Sequence, residues 1–141
     1  MNEQPRILYA REQELAAIEF QSLLAACTLG AIRPTADLAR LDAMLRGANL
    51  IVTARRDEPG RPLVGIARCV TDFSWCCYLS DLAVSQTAQG LGIGKGLLEK
   101  TRDVIGPTVS LMLVSVPEAV GFYRSAGMAE MPDGFVFKRE R

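Results

Sequence analysis

The stretch Gln89-Gly90-Leu91-Gly92-Ile93-Gly94-Lys95 constrains this chain more than any other part of it. Glycines at alternate positions let the backbone come close to a ligand and leave its amides pointing outward. The stretch lies between a β-rich run, Cys77 to Val84, and an amphipathic helical pattern over Ile93 to Ile105. A helix that opens directly behind such a turn adds its positive dipole end, so the turn suits a phosphate or pyrophosphate. The alternative is a tight turn without a ligand, and three alternating glycines before a helix weigh against it. A Walker A loop needs GxxxxGK followed by Ser or Thr. Here Gln89 takes the first glycine position and Gly96 follows Lys95, so that reading fails. A dinucleotide fingerprint starting at Gly92 meets Leu97 in its third slot and follows a meander, so it is weak.

The rest of the chain frames this loop. Ile7 to Tyr9 reads as a short strand, and Leu15, Ile18, Leu23 and Ala26 form a helical stripe from Glu12 to about Cys27. Gly30 and Pro34 interrupt. Thr35 or Asp37 then caps a second helix carrying Leu38, Leu41, Met44 and Leu45, with Gly47 as its stop. Leu50 to Ala54 and Leu63 to Val70 flank Asp57-Glu58-Pro59-Gly60 and read as an antiparallel hairpin. Asp72-Phe73-Ser74 turns into the strand Cys77 to Val84. Val109 to Val116 is an almost unbroken apolar strand, as expected where both faces are covered. Pro117 opens a helix over Glu118 to Ala126 that Gly127 ends, and Phe135-Val136-Phe137 is a final strand. The order β-α-α-β-β-β-α-β-α-β predicts an α/β (α+β) fold with a mixed sheet, in one domain over residues 1–141.

Composition narrows the chemistry. Lys plus Arg and Asp plus Glu are 16 each, which argues against a protein built to grip a nucleic-acid backbone. There is no histidine, which excludes His-ligated metal and imidazole-based dyads and triads. Cys27, Cys69, Cys76 and Cys77 lack CxxC spacing and read as buried, reduced thiols, with adjacent Cys76 and Cys77 on opposite sheet faces. Met1 to Arg6 has no signal-peptide core behind it, and no apolar run approaches the roughly 20 residues that span a bilayer. The expectation is a cytoplasmic protein with no membrane association.

Gln89, Gly92 and Gly94 match the pattern Gln/Arg-x-x-Gly-x-Gly/Ala, and Tyr78 to Val84 runs directly into it. Further on, Ala119-Val120-Gly121-Phe122-Tyr123-Arg124-Ser125-Ala126-Gly127-Met128 is similar to an A-x-x-F-Y-x-x-x-G-F helix. With both motifs in order, the chain resembles the GNAT superfamily of N-acetyltransferases over nearly its whole length. Two positions depart: Val116 stands where the family often has Asn, and Gly127-Met128 replaces Gly-Phe.

The resemblance implies a mostly antiparallel central sheet flanked by helices, with acetyl-coenzyme A as co-substrate and no metal. The co-substrate would lie between the strand ending at Val84 and the strand starting near Val109. The backbone of Leu82, Ala83 and Val84 would pair with the pantetheine arm. Gln89, Gly90, Leu91, Gly92, Ile93, Gly94 and Lys95 would hold the pyrophosphate, and Phe122 would join the cofactor site. Tyr123 would be the general acid for direct attack by a primary amine. The base stays open between Asp81, Asp72 and a Glu acting through water, and Asp81 can equally be a structural group at the strand end. A covalent route through Cys76 or Cys77 is the minority reading. The acceptor would be a small-molecule or protein amine, received by the N-terminal helices and the Asp72 to Cys77 region. Relatives also imply a homodimer, for which Phe135 to Phe137 offers a short apolar edge. The competing function is a non-catalytic acyl-coenzyme A-binding module that regulates or binds a partner.

Overall fold

The computed structural model describes residues 6–141, so Met1 to Pro5 of the expected leaderless N-terminus lie outside the described residues. Five strands form one sheet in chain order. These are β1 (Ile7–Arg11), β2 (Leu50–Arg56), β3 (Leu63–Thr71), β4 (Cys76–Val84) and β5 (Ser110–Met112). The first four pair antiparallel, and β5 joins β4 in parallel. A parallel neighbour needs a crossover, and the helix α3 (Ile93–Ile105) supplies it across one face. Two helices, α1 (Ala17–Ala25) and α2 (Leu38–Gly47), cover the other face, and α4 (Val120–Ser125) follows β5.

Each face has its own core. Leu50, Val52, Ala67, Cys69, Cys77 and Leu79 of the sheet pack with Ile93, Leu97 and Leu98 of α3. Ile51, Ile66 and Ala83 pack with Phe20, Leu23 and Leu24 of α1 and Leu41 and Leu45 of α2. The α3 face is unusually close. A Cβ on Gly65 would sit 2.9 Å from Ile93 Cγ2, and one on Gly96 would sit 2.3 Å from the Tyr9 ring. Asp37, rather than Thr35, caps α2 by accepting the Arg40 amide at 3.0 Å.

Several sequence expectations are adjusted. The first helix begins at Ala17, not Glu12, because the Glu12 amide donates to Ile51 O at 2.9 Å and keeps the chain on β2. Ile18 is therefore off the buried stripe and 57 % exposed. The apolar run from Val109 is strand only over Ser110–Met112. The expected last strand does not form: among the described residues Phe135, Val136 and Phe137 have no strand partner, and they stand in solvent. A strand exists through its ladder partner, and among the described residues none flanks the outer edge of β5. Cys69 and Cys77 are buried as expected, and their mutual hydrogen bond followed by burial pushes the Cys69 thiol up. Cys76 is exposed on the opposite face and Cys27 is half-buried.

A bulge in β4 positions the site. Arg68 pairs with Asp81 but Cys69 pairs with Leu79, so Ser80 is the extra residue. The bulge reverses the facing of the strand. Cys77 and Leu79 look toward α3 before it, Leu82 and Val84 do so after it, and Ala83 turns to the α1/α2 core.

Candidate functional site

β4 and β5 stay paired only from Cys76–Ser110 to Tyr78–Met112. Beyond Tyr78 they separate, and among the described residues no strand pairs with the edge of β4 from Leu79 to Val84 that faced β5. A cleft of about 350 Å³ opens there. Leu82, Ala83 and Val84 form one wall, and Ala119, Phe122 and Tyr123 of the α4 region form another. Ala88, Gln89, Gly90, Gly92, Ile93, Gly94 and Lys95 close the end.

The loop is built in steps. The Ser85 amide donates to Val64 O at 2.8 Å, anchoring the end of β4 to β3. A 3₁₀ turn over Gln86–Ala88 follows, with the Ser85 side chain accepting the Thr87 amide at 3.3 Å. Gly90 and Gly92 then take φ of +81° and +72°, left-handed values that favour glycine, and Gly92 caps α3. The first helical bond runs from the Gly96 amide to Gly92 O at 3.0 Å. Among the described residues, no amide from Gln89 to Lys95 donates to a carbonyl or side chain of the chain. A row of free donors at a helix N-terminus is an anion site by charge and by hydrogen bonding. Gly94 admits the Phe122 ring, whose Cζ would lie 3.0 Å from a Cβ there. The residues present therefore fit a bound pyrophosphate.

Tyr123 meets Phe122 edge-on, with ring centroids 5.1 Å apart, and leans on the α3-side core. Burial raises its hydroxyl pKa above the ordinary 10.0, so it is protonated at neutral pH. Of the residues singled out in the sequence, Leu91 does not line the cleft but packs on the α3-side core, and Asp81 does not line it either. The Asp81 carboxylate is wholly buried, with Oδ1 accepting from Arg33 Nε and Oδ2 from Arg68 Nε, each at 2.5 Å. The same two guanidiniums clasp the bulge: Arg33 Nη2 donates to Ser80 O at 3.0 Å and Arg68 Nη2 to Ser80 Oγ at 2.9 Å. Asp72 is elsewhere again, holding its turn. The amides of Trp75, Ser74 and Cys76 donate to it and lower its pKa to about 2.

The sequence reading missed one wall. Thr28 and Leu29, in the 3₁₀ turn (Thr28–Ile32) behind α1, and Cys27 just before it also line the cleft. The Gln86 amide donating to Ala26 O at 2.8 Å keeps this turn beside the loop. The only signal in the sequence was Gly30, whose Cβ would sit 2.2 Å from Leu24 O.

The model of the acetyltransferase (GNAT) family matches residues 16–128. Serotonin N-acetyltransferase 2, chloroplastic, of Oryza sativa subsp. japonica is 39% identical over 87 residues, covering 58% of this chain and 43% of that protein. This chain spans about half the length of the curated relatives it matches. A GNAT family acetyltransferase from Streptococcus pneumoniae superposes with a TM-score of 0.69 at 22% identity, over 96% of this chain and 100% of that one. A GNAT family N-acetyltransferase from Escherichia coli, solved in complex with CoA, gives a TM-score of 0.57 at 18% identity, over 74% and 59%. At these identities the likeness to the solved structures is one of fold. The matched region holds the glycine loop, the bulged strand and the Tyr123 helix together, and the chain belongs to the acetyltransferase (GNAT) family.

Proposed function

We propose that the chain moves an acetyl group from acetyl-coenzyme A to a primary amine by direct attack, with Tyr123 as general acid. The observation that carries this reading is the row of unpaired amides from Gln89 to Lys95, at the end of a cleft that also contains Tyr123. The co-substrate supplies an activated acetyl thioester. Gln89 to Lys95 bind its pyrophosphate, and the open edge of Leu82 to Val84 pairs with the pantetheine arm. The Leu82 amide is the donor aimed at the thioester oxygen as negative charge grows there. The Tyr123 hydroxyl hydrogen-bonds the departing sulfur and supplies its proton. With its pKa raised above 10.0 and an ordinary thiol's at about 8.5, the full transfer is uphill, so the hydrogen bond to the developing thiolate is its main contribution.

The titratable residues lining the cleft are Cys27, Lys95 and Tyr123, with no carboxylate among them. We assign the amine proton to water. Asp81, closed in by two arginines, serves as a positioning residue for the bulge, and Asp72 at a pKa of about 2 is too weak a base. For the acceptor we favour an amine with an aromatic or apolar body. Trp75, Tyr78 and Val70 leave an apolar surface at the far end of β4, 78 %, 42 % and 48 % exposed. One relative is named for serotonin.

A thiol-release assay over aromatic amines, polyamines, amino acids, aminoglycosides and peptides tests the reading, run on the protein and on Tyr123→Phe. Turnover of the variant falls by roughly 10²-fold, one acid–base contribution, with coenzyme A affinity and melting temperature little changed. The wild-type pH–rate profile climbs toward the acceptor's own pKa; a plateau near neutrality would reveal an enzyme base. Coenzyme A binding without thiol release on any acceptor would favour the binding-module reading.

A further inference from the structure

The turn that walls the cleft has little to hold it in place. Leu29 leans on the α1/α2 core, but no residue of Thr28–Ile32 is fully buried. Among the described residues, hydrogen bonds tie the chain from Ala26 to Arg33 to β4 and the loop behind it at two points only. At one end the Gln86 amide donates to Ala26 O. At the other end stands Arg33, the residue that closes the turn. Its Nη1 donates to Ile32 O at 3.2 Å, back into the turn. Its Nε reaches the Asp81 carboxylate, and its Nη2 reaches the carbonyl of Ser80, the extra residue of the bulge. Nε and Nη2 are one edge of a planar fork, so a single rigid group makes both bonds to β4. Arg68 meets the same two residues from β3, through Asp81 Oδ2 and Ser80 Oγ. The two arginines divide the work. Arg68, its side chain 9 % exposed, belongs to the sheet and fixes the bulge; Arg33, at 22 %, belongs to the turn.

We propose that Arg33 is a positioning residue for the acceptor: it locks the Cys27–Leu29 wall to the bulge of β4 and so shapes the space the amine enters. The proposal rests on the acetyl-transfer reading. There the co-substrate takes the edge of Leu82 to Val84 and the glycine loop, which leaves Cys27, Thr28 and Leu29 as cleft wall open to the acceptor. A wall tied through Asp81 and Ser80 is held in register with the strand whose Leu82 amide faces the thioester. Without Arg33, Asp81 keeps its pair with Arg68 and Ser80 keeps its hydroxyl bond, so the bulge and the co-substrate edge stay in place. The wall is then loose at one end, and only the fraction of molecules with the wall in position takes the acceptor. Apparent acceptor affinity falls by that fraction, while coenzyme A binding does not. Lysine cannot replace the fork. It brings a charge to Asp81, but its compact ammonium has no planar edge to span the carboxylate and Ser80 O together.

Two readouts on the wild type, Arg33→Ala and Arg33→Lys test it; the lysine variant keeps a cation beside Asp81 and with it the fold. The first readout needs no turnover. It is alkylation of the half-buried Cys27 by iodoacetamide, followed by peptide mass spectrometry with the exposed Cys76 as internal reference. Cys27 should react about tenfold faster in Arg33→Ala and by a smaller factor in Arg33→Lys, with the Cys76 rate unchanged. The second readout is steady-state transfer to an amine that the wild type acetylates. Acceptor KM should rise about tenfold in Arg33→Ala and less in Arg33→Lys, with kcat and coenzyme A affinity within about twofold of the wild type. A role in the fold alone would lower the melting temperature and leave acceptor KM where it was. An unchanged Cys27 rate overturns the proposal, and so does an unchanged acceptor KM. A coenzyme A affinity that falls in step with KM overturns it too, as does a lysine variant equal to the wild type in both readouts. A wild type that acetylates no amine brings down the acetyl-transfer reading instead, and Cys27 alkylation then decides alone whether Arg33 holds the wall.

Discussion

The two faces of the sheet are covered by different physical means. On the α3 face the contact is apolar and close, with Gly65 and Gly96 removing side chains so that Ile93, Leu97 and Tyr9 can approach. Among the described residues no ion pair joins α3 to the sheet. On the α1/α2 face, apolar packing is interrupted by charge. Arg55 bridges Glu12 and Glu19, and Asp81 holds Arg33 and Arg68. Close apolar packing sets the position of a rigid helix start, which an anion site needs. The ionic face instead fixes irregular backbone, the bulge at Ser80 and the turn behind α1, where no regular ladder can do so.

Breaking the ionic face at its centre should have the largest effect. Asp81→Ala leaves two guanidiniums facing an empty, buried position, and a buried pair broken on one side typically costs about 3–5 kcal/mol. Chemical denaturation would read this directly. A loss under about 1 kcal/mol would mean the arginines find other partners and the bulge holds itself.

The two faces also differed in how much of them could be read from sequence. The α3 face follows from local pattern: alternate apolar residues in β2 and β3, a 3.6-residue stripe from Ile93 to Ile105, and glycines where a helix must start. The Arg33–Asp81 pair joins residues 48 apart, and no local periodicity registers it. The bulge at Ser80 was hidden for the same reason, so Asp81 stood in the sequence as a candidate base while its carboxylate is closed off by arginines. Cys27 to Leu29 line the cleft through a 3₁₀ turn that follows a helix whose start was misplaced by Glu12. Phe135 to Phe137 have strand composition, but composition cannot supply a neighbouring strand.

On the α3 face the corresponding break is Gly65→Val. The added side chain runs into Ile93 Cγ2 and Leu97 Cδ1, which an ideal Cβ alone would meet at 2.9 and 3.0 Å. Overpacking of this kind costs about 1–3 kcal/mol. Because Ile93 opens α3, coenzyme A affinity should fall along with stability. A destabilised variant with unchanged affinity would separate the packing of α3 from the shape of the loop.

The smallest effect is expected at the half-exposed ionic cluster. The hydrogen bond from Arg55 is the largest influence holding the Glu12 carboxyl below its ordinary 4.5, with the Thr53 hydroxyl adding to it against the opposing effect of burial. A lowered folded-state pKa gives stability that is present above about 4.5 and lost as the pH falls through the folded value. Glu12→Gln should therefore cost less than about 1 kcal/mol at neutral pH and flatten the fall in stability below pH 4.5. Parallel pH curves for the two proteins would show that Glu12 contributes no pH-linked stability.

The central claim is that the free amides of the glycine loop hold the pyrophosphate of the co-substrate. Titration calorimetry of coenzyme A into the wild type and Gly92→Val tests it most directly. Gly92 sits at φ +72° with open space around its Cβ position, so a β-branched side chain there strains the backbone and stands among the outward amides. The account predicts a coenzyme A affinity at least about tenfold weaker, equivalent to about 1.4 kcal/mol, while the variant stays folded. Unchanged affinity in a folded Gly92→Val protein would contradict it.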